Sequence, residues 1–197
     1  MSMTNDSENI LARLKRETAE IHQELENKMP FAGEDFSLPE YQCLIVNFYN
    51  FYEKFEPQIE RALKRYQIDF DYSRRLKTPK LALDLQNLET PLSSNFDSVE
   101  NEPAIFNSRE KVFGALYVVE GSTLGGQVIA RILKRKFNFD ESNGAAFFGG
   151  YGAETGAMWN AFRAAITEFA ETSDNHEDII VAATETFQRI SKAVGER

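Results

Sequence analysis

Residues 115–132 read ALYVVEGSTLGGQVIARI, and this stretch decides the fold. Its apolar residues recur at helical spacing, yet its middle is nearly bare of side chains. Phe113, Tyr117, Gly121 and Gly125 fall on one i, i+4 row and stack along a single helix face; Gly126 sits beside that row. A glycine inside a helix costs about 1 kcal/mol relative to alanine, so three cost about 3 kcal/mol. Total stabilities are typically about 5–15 kcal/mol. Something must therefore approach this backbone closely. Two kinds of neighbour qualify: a second helix crossing through the Gly121-x-x-x-Gly125 seam, or a flat ligand. The adjacent pair Gly125-Gly126 exceeds what a crossing needs, and it loosens the helix locally, as suits a lid that breathes over a ligand.

Working outward, Ser108 caps this helix, which spans 109 to about 136. Before it, residues 5–28 predict a helix capped by Asp6 or Ser7. Leu11, Leu14, Thr18, His22, Leu25 and Met29 share one face of it, which places His22 on the buried stripe. Ser37-Leu38-Pro39-Glu40 is a capping box with proline in the first turn. The helix it opens carries Phe48, Tyr49, Phe51, Tyr52 and Phe55 nearly all round, so burial is expected, with a kink or break at Pro57. A shorter helix starts at Asp71 or Ser73, is interrupted near Thr78-Pro79 and resumes as KLALDLQNL. Residues 89–107 read as a polar connection and 140–152 as a glycine-rich loop. Helices over 154–171, with Trp159, Phe162, Ile166 and Phe169 on one stripe, and from about 176 to the end complete the chain. No segment alternates with period 2. The expected class is all-α, one helical-bundle domain over 1–197.

Composition narrows the function. The chain has 197 residues, a net charge of −9, 16 Phe, 7 Tyr, one Cys and two His. The acidic balance argues against nucleic-acid binding. No apolar run approaches the roughly 20 residues of a membrane span, and the first ten residues lack a signal pattern. A single cysteine excludes an internal disulfide; together these predict a cytoplasmic protein with no membrane role. Two histidines exclude a multi-histidine zinc site. Neither has a Glu three residues before it, as helical di-iron sites require. A site that needs one histidine remains.

His22 is either a packed core residue or an axial ligand of a haem iron. Lys15 and Arg16, two turns earlier, are either a solvated basic face or partners for propionates. Cys43 is either a small buried residue or a nucleophile lacking a visible base. His176 is expected to be exposed. The loop at 150–156, GYGAETG, is not a dinucleotide fingerprint, because its third glycine is one residue late and no strand precedes it. Lys134-Arg135-Lys136 complements the helix dipole or docks an acidic electron-transfer partner.

LKRETAEIHQELE at 14–26, GSTLGGQVI at 121–129 and FFGGYGAETGAMWNAF at 147–162, in that order and with the aromatic helix between, resemble the haem oxygenases. The nearest look is to bacterial enzymes that supply biliverdin to phytochromes. The resemblance implies a mostly helical fold with haem b, both cofactor and substrate, between a proximal and a distal helix. It implies His22 as the proximal iron ligand and Lys15 as a propionate contact. Gly121, Gly125 and Gly126 become the distal glycines, and Tyr49 a distal tyrosine that orders water. Arg163 matches a further propionate contact. Tyr117 borders the pocket without a family role. The implied reaction uses O2 and an external electron donor, a ferredoxin or a reductase. It yields biliverdin, carbon monoxide and ferrous iron, with a phytochrome as a possible acceptor of the biliverdin. One position departs: many relatives carry Asp after the first distal glycine, and here Ser122 stands there, which holds a water but carries no charge. That departure keeps open a non-catalytic haem- or bilin-binding protein on the same fold. A third reading is a fold relative acting on another small molecule through Cys43 or a carboxylate.

Overall fold

The computed structural model describes residues 9–32, 36–91 and 106–195. Among these the regular structure is helical throughout. The order is α1 (Ile10–Glu17), α2 (Ala19–Lys28), α3 (Leu38–Arg65), α4 (Thr78–Asn87), α5 (Arg109–Phe137), α6 (Thr155–Thr172) and α7 (His176–Gly195), with single 3-10 turns at Pro30–Ala32, Ser73–Arg75 and Gly152–Glu154. The all-α class is as the sequence predicts.

The caps follow their chemistry. Ser37 accepts from the backbone of Glu40 while the Glu40 carboxylate accepts from the Ser37 N–H, the reciprocal box expected from SLPE. Ser108 caps α5 through Lys111 N–H. The first helix differs from expectation in two ways. Its cap is Asn9, whose Oδ1 accepts from Leu11 N–H at 2.9 Å; Asp6 and Ser7 lie outside the described residues. It is also divided at Thr18, where φ is −102° and ψ 4°. Thr18 is buried, and its hydroxyl donates to the Leu14 carbonyl at 2.8 Å, a back-bond that bends helices. Pro57, in contrast, does not break α3, which runs 28 residues through it. Pro57 faces solvent, while Phe55, Glu56 and Ile59 on either side are buried. Packing of the flanking turns outweighs the one lost hydrogen bond.

Helix α5 is the axis of the structure. It is 29 residues long and contains an 18-residue window of mean hydropathy 1.2, long and apolar enough to cross a membrane, contrary to the expectation that no run qualifies. More than half of its apolar window is buried in the fold, so that character serves the core. Helix α7 packs along it. An added Cβ at Gly114 would lie 2.2 Å from the Ile179 carbonyl oxygen and 2.9 Å from the Ala182 Cβ. The close helix crossing therefore sits at Gly114, two turns before the glycine stretch. Helix α7 also carries α2: Phe187 meets the His22 ring at 5.3 Å, and Lys28 Nζ donates to Ser191 Oγ at 2.6 Å. One helix thus backs both the histidine and the glycine helix.

Gly114→Ala forces α5 and α7 apart, so a loss of about 1–3 kcal/mol is expected, the usual cost of overpacking. Urea unfolding checks this: the midpoint should fall, and an unchanged midpoint would contradict the crossing.

Candidate functional site

The glycines of α5 do three different things. Gly121, Leu124, Gly125 and Val128 share one face by their 3-and-4 spacing. Leu124 and Val128 are exposed there, at 39% and 52%. A Cβ built on Gly125 meets nothing within 4 Å. One at Gly121 would touch the Trp159 ring at 3.8 Å, an ordinary contact. One at Gly126 would lie 2.9 Å from the Phe148 carbonyl oxygen. Gly126, expected to face a ligand with the other two, is instead buried and needed by the protein's own loop. Gly125 alone is bare without a protein neighbour to require it.

That loop, 145–151, is held from below. Asp84 on α4 accepts from Ala146 N–H at 2.7 Å and Phe147 N–H at 2.8 Å. Burial pushes its carboxyl up to about 6 against these two hydrogen bonds. Lys80 Nζ donates to the Gly150 carbonyl, where φ is +61° and a side chain would be strained.

Immediately before Gly121, the Glu120 carboxylate is wholly buried. Arg75 pairs with its Oε2. Lys77 Nζ lies 3.1 Å from Oε1, and the Tyr151 hydroxyl donates to Oε1 at 2.8 Å. Lys77 also donates to Tyr151 Oη and to the Arg75 carbonyl, both at 2.6 Å. Burial lowers the Lys77 pKa from its ordinary value, opposed first by the Glu120 charge. A second buried carboxylate, Glu56 on α3, accepts from Lys77 N–H at 2.5 Å and from Thr78 N–H at 3.1 Å, capping α4. These charges tie α3, α4, the 3-10 turn at Ser73–Arg75 and the glycine loop to one point on α5. None was singled out from sequence, although an acidic residue inside the apolar run VVEG is the signal of a buried, paired charge.

His22 is not on a buried stripe. Its side chain is 55% exposed, resting on Phe187, with Nε2 3.5 Å from Glu26 Oε1. Leu14, Thr18 and Leu25 on the same stripe are buried as expected. Leu11 and Met29 on that row are partly buried, and periodicity places a residue on a face without saying what covers it. Lys15 is exposed. Arg163 is exposed on α6 in a groove against α1 with Asn9, Leu11 and Thr167, and this groove includes neither His22 nor the glycines.

Tyr49 is half-buried, and its hydroxyl points to Glu53 at 3.4 Å. One turn on, Tyr52 is fully buried; burial raises its hydroxyl pKa, and Ser122 nearby opposes that rise. Ser122 Oγ donates to the Val119 carbonyl at 2.8 Å. Tyr117 is half-buried, its hydroxyl pKa raised by burial and opposed by Thr18 nearby, and its ring packs near Trp159 at 6.0 Å. Cys43 is exposed rather than buried. His176 is half-buried, with Nε2 2.8 Å from the Ala170 carbonyl. Lys134 pairs with Asp140 at 3.0 Å.

The sequence pattern of the family described as Heme oxygenase matches residues 8–196. The chain is 33% identical over 121 residues to a heme oxygenase of Xanthomonas campestris, a match that spans 60% of this chain and 66% of that relative's length. Among solved structures, the fold is similar to heme oxygenase from Leptospira interrogans, with a TM-score of 0.74 at 18% identity. That likeness covers 96% of this chain and all of that one. It is also similar to the NO- and CO-bound heme oxygenase of Neisseria meningitidis, with a TM-score of 0.75 at 20% identity, covering 96% of this chain and 94% of that one.

The Asp84 carboxyl rises on folding from an unfolded value of about 3.9 to about 6. Its stabilising contribution is whole below the unfolded value and lost as pH rises through about 6. Urea unfolding from pH 4 to 7 should show this decline, and Asp84→Asn, which does not titrate, should lack it. The same pH slope in both proteins would contradict the assignment.

Proposed function

The chain belongs to the haem oxygenase family, and from that premise we propose that it holds haem b between His22 on α2 and the Gly121–Gly125 face of α5. On this reading it opens the macrocycle at a meso carbon with O2 and electrons from an external donor, releasing biliverdin, carbon monoxide and ferrous iron. The observation that carries the reading is Gly125. It has a helix-interior cost of about 1 kcal/mol and no protein atom within 4 Å of an added Cβ. A flat macrocycle requires such a wall.

The residues present fit the group. His22 has an accessible imidazole, and its 3.5 Å approach to Glu26 is too long to compete with ligation. Bound haem supplies a redox-active iron, and a neutral histidine ligand lacks the electron push of a thiolate. Everything else is this chain's work. The Gly121–Gly125 backbone presents polar groups without side-chain bulk. Ser122, with buried Tyr52 nearby, stands where Asp stands in many relatives, and Tyr49 stays in the reading as a water-ordering group. Lys15 and Arg163, both exposed, are the cations assigned to propionates. Tyr117, half-buried one turn before Gly121, is assigned to the border of the pocket. The basic end of α5, Lys134 to Lys136, is the assigned dock for a ferredoxin or reductase, and a phytochrome is the assigned biliverdin acceptor. The protein is read as one cytoplasmic domain.

A second reading, a non-catalytic haem- or bilin-binder, is favoured by one feature: Ser122 spends its proton on the Val119 carbonyl of its own helix.

Haemin titration should give a histidine-type Soret spectrum. His22→Ala should lose the iron ligand and turnover, with rescue by imidazole. Gly125→Leu should lower haem affinity at least about tenfold, or 1.4 kcal/mol, while leaving the fold intact. Aerobic incubation with a reductant should yield biliverdin absorbance; a Soret band that bleaches or persists without it would leave only the binding reading. Unchanged haem coordination in His22→Ala would show another ligand.

A further inference from the structure

Trp159 is the one tryptophan of the chain, and it closes one end of the bare α5 face. Its ring lies 3.8 Å from a Cβ built on Gly121, and its centroid is 6.0 Å from that of Tyr117. One turn on, Gly125 meets nothing within 4 Å. The bare face is therefore stopped by indole at Gly121 and runs open past Gly125 to the exposed Val128.

The indole is held in place by a fixed frame. It stacks on Phe162, with centroids 5.5 Å apart and ring planes at 28°. Phe162 is wholly buried and meets the Phe70 ring edge-on at 6.0 Å. The Arg75 guanidinium lies 4.5 Å over Phe70. The same guanidinium pairs with buried Glu120 and donates to the Met158 carbonyl at 3.3 Å. Arg75 thus joins the residue before Trp159 to the residue before Gly121. Trp159 itself is only half-buried, so part of it stays accessible to solvent.

We propose that Trp159 is a specificity-determining residue: its ring edge is the stop against which a flat macrocycle on the Gly121–Gly125 face is seated. It thereby sets the macrocycle's rotation in its own plane, with Arg75 as the positioning residue that holds the stop. The proposal rests on the haem reading above. A bare glycine wall does not distinguish rotations of a near-symmetric ring; only contacts at the rim do. An indole is flat, rigid and apolar, so it accepts a methyl or vinyl edge and disfavours a propionate edge, which would be desolvated there. The rotation selects which meso carbon is presented to the reacting side, and so the isomer of the product.

The test is proton NMR of the haemin-loaded, cyanide-bound ferric protein, where the haem methyl shifts report rotational seating independently of turnover. The unmodified protein should show one dominant methyl set. Trp159→Ala should show a second set at comparable intensity, Trp159→Phe a smaller one, and Arg75→Lys a change in the same direction. Trp159→Phe conserves the stacking on Phe162 and serves as the folded variant should alanine unfold the first turn of α6. Loaded Trp159→Phe and Trp159→Ala with the unmodified methyl pattern would overturn this proposal alone. Failure of the unmodified protein to bind haemin would overturn it together with the haem reading.

Discussion

A buried carboxylate at Glu120 is the constraint around which the rest is arranged. An ionised carboxylate removed from water costs several kcal/mol unless it is paired and fully hydrogen-bonded. Here Arg75, Lys77 and Tyr151 meet that demand together. Each partner comes from a different place: the 3-10 turn before α4, the start of α4, and the loop before α6. Satisfying one charge therefore fixes three segments against α5 at the residue before Gly121. Glu56 repeats the arrangement from α3 by capping α4. This part of α5 is held firmly while its open face carries glycine at 121 and 125 alongside the exposed side chains of Leu124 and Val128.

The helix that carries His22 is held by a different device. Helix α7 crosses α5 through Gly114 and carries α2 through Phe187 and Ser191. Tyr117 on α5 and Thr18 before α2 lie near one another, and Gly121 and His22 follow those two residues by one turn each.

Much of this was legible in the sequence, and the exceptions have physical causes. Capping chemistry is local, so Ser37 and Ser108 could be read directly. Periodicity identified the row from Leu11 to Met29, but a cleft and a core both call for residues at that spacing, and His22 proved exposed. Glycine's cost could be counted, yet its cause could not: on α5, Gly114 answers to α7, Gly126 to Phe148, and Gly125 to no neighbouring element, as is also true of Gly156 on α6. Tyr49 and Tyr52 lie three residues apart on an aromatic helix, and only the tertiary proximity of Ser122 to Tyr52 separates them. Thr18 and Pro57 exchanged roles for a similar reason. Threonine, with a buried back-bonding hydroxyl, interrupts its helix, while an exposed proline flanked by buried turns does not. Arg75 and Lys77 gave no local sign of their partner 45 and 43 residues away.

A crystal structure of the protein grown with haemin tests the central claim most directly. The account predicts iron bonded to His22 Nε2, with the Gly121–Gly125 backbone over the opposite face of the macrocycle. Iron held by another side chain, or haem seated away from the Gly121–Gly125 face, would contradict it.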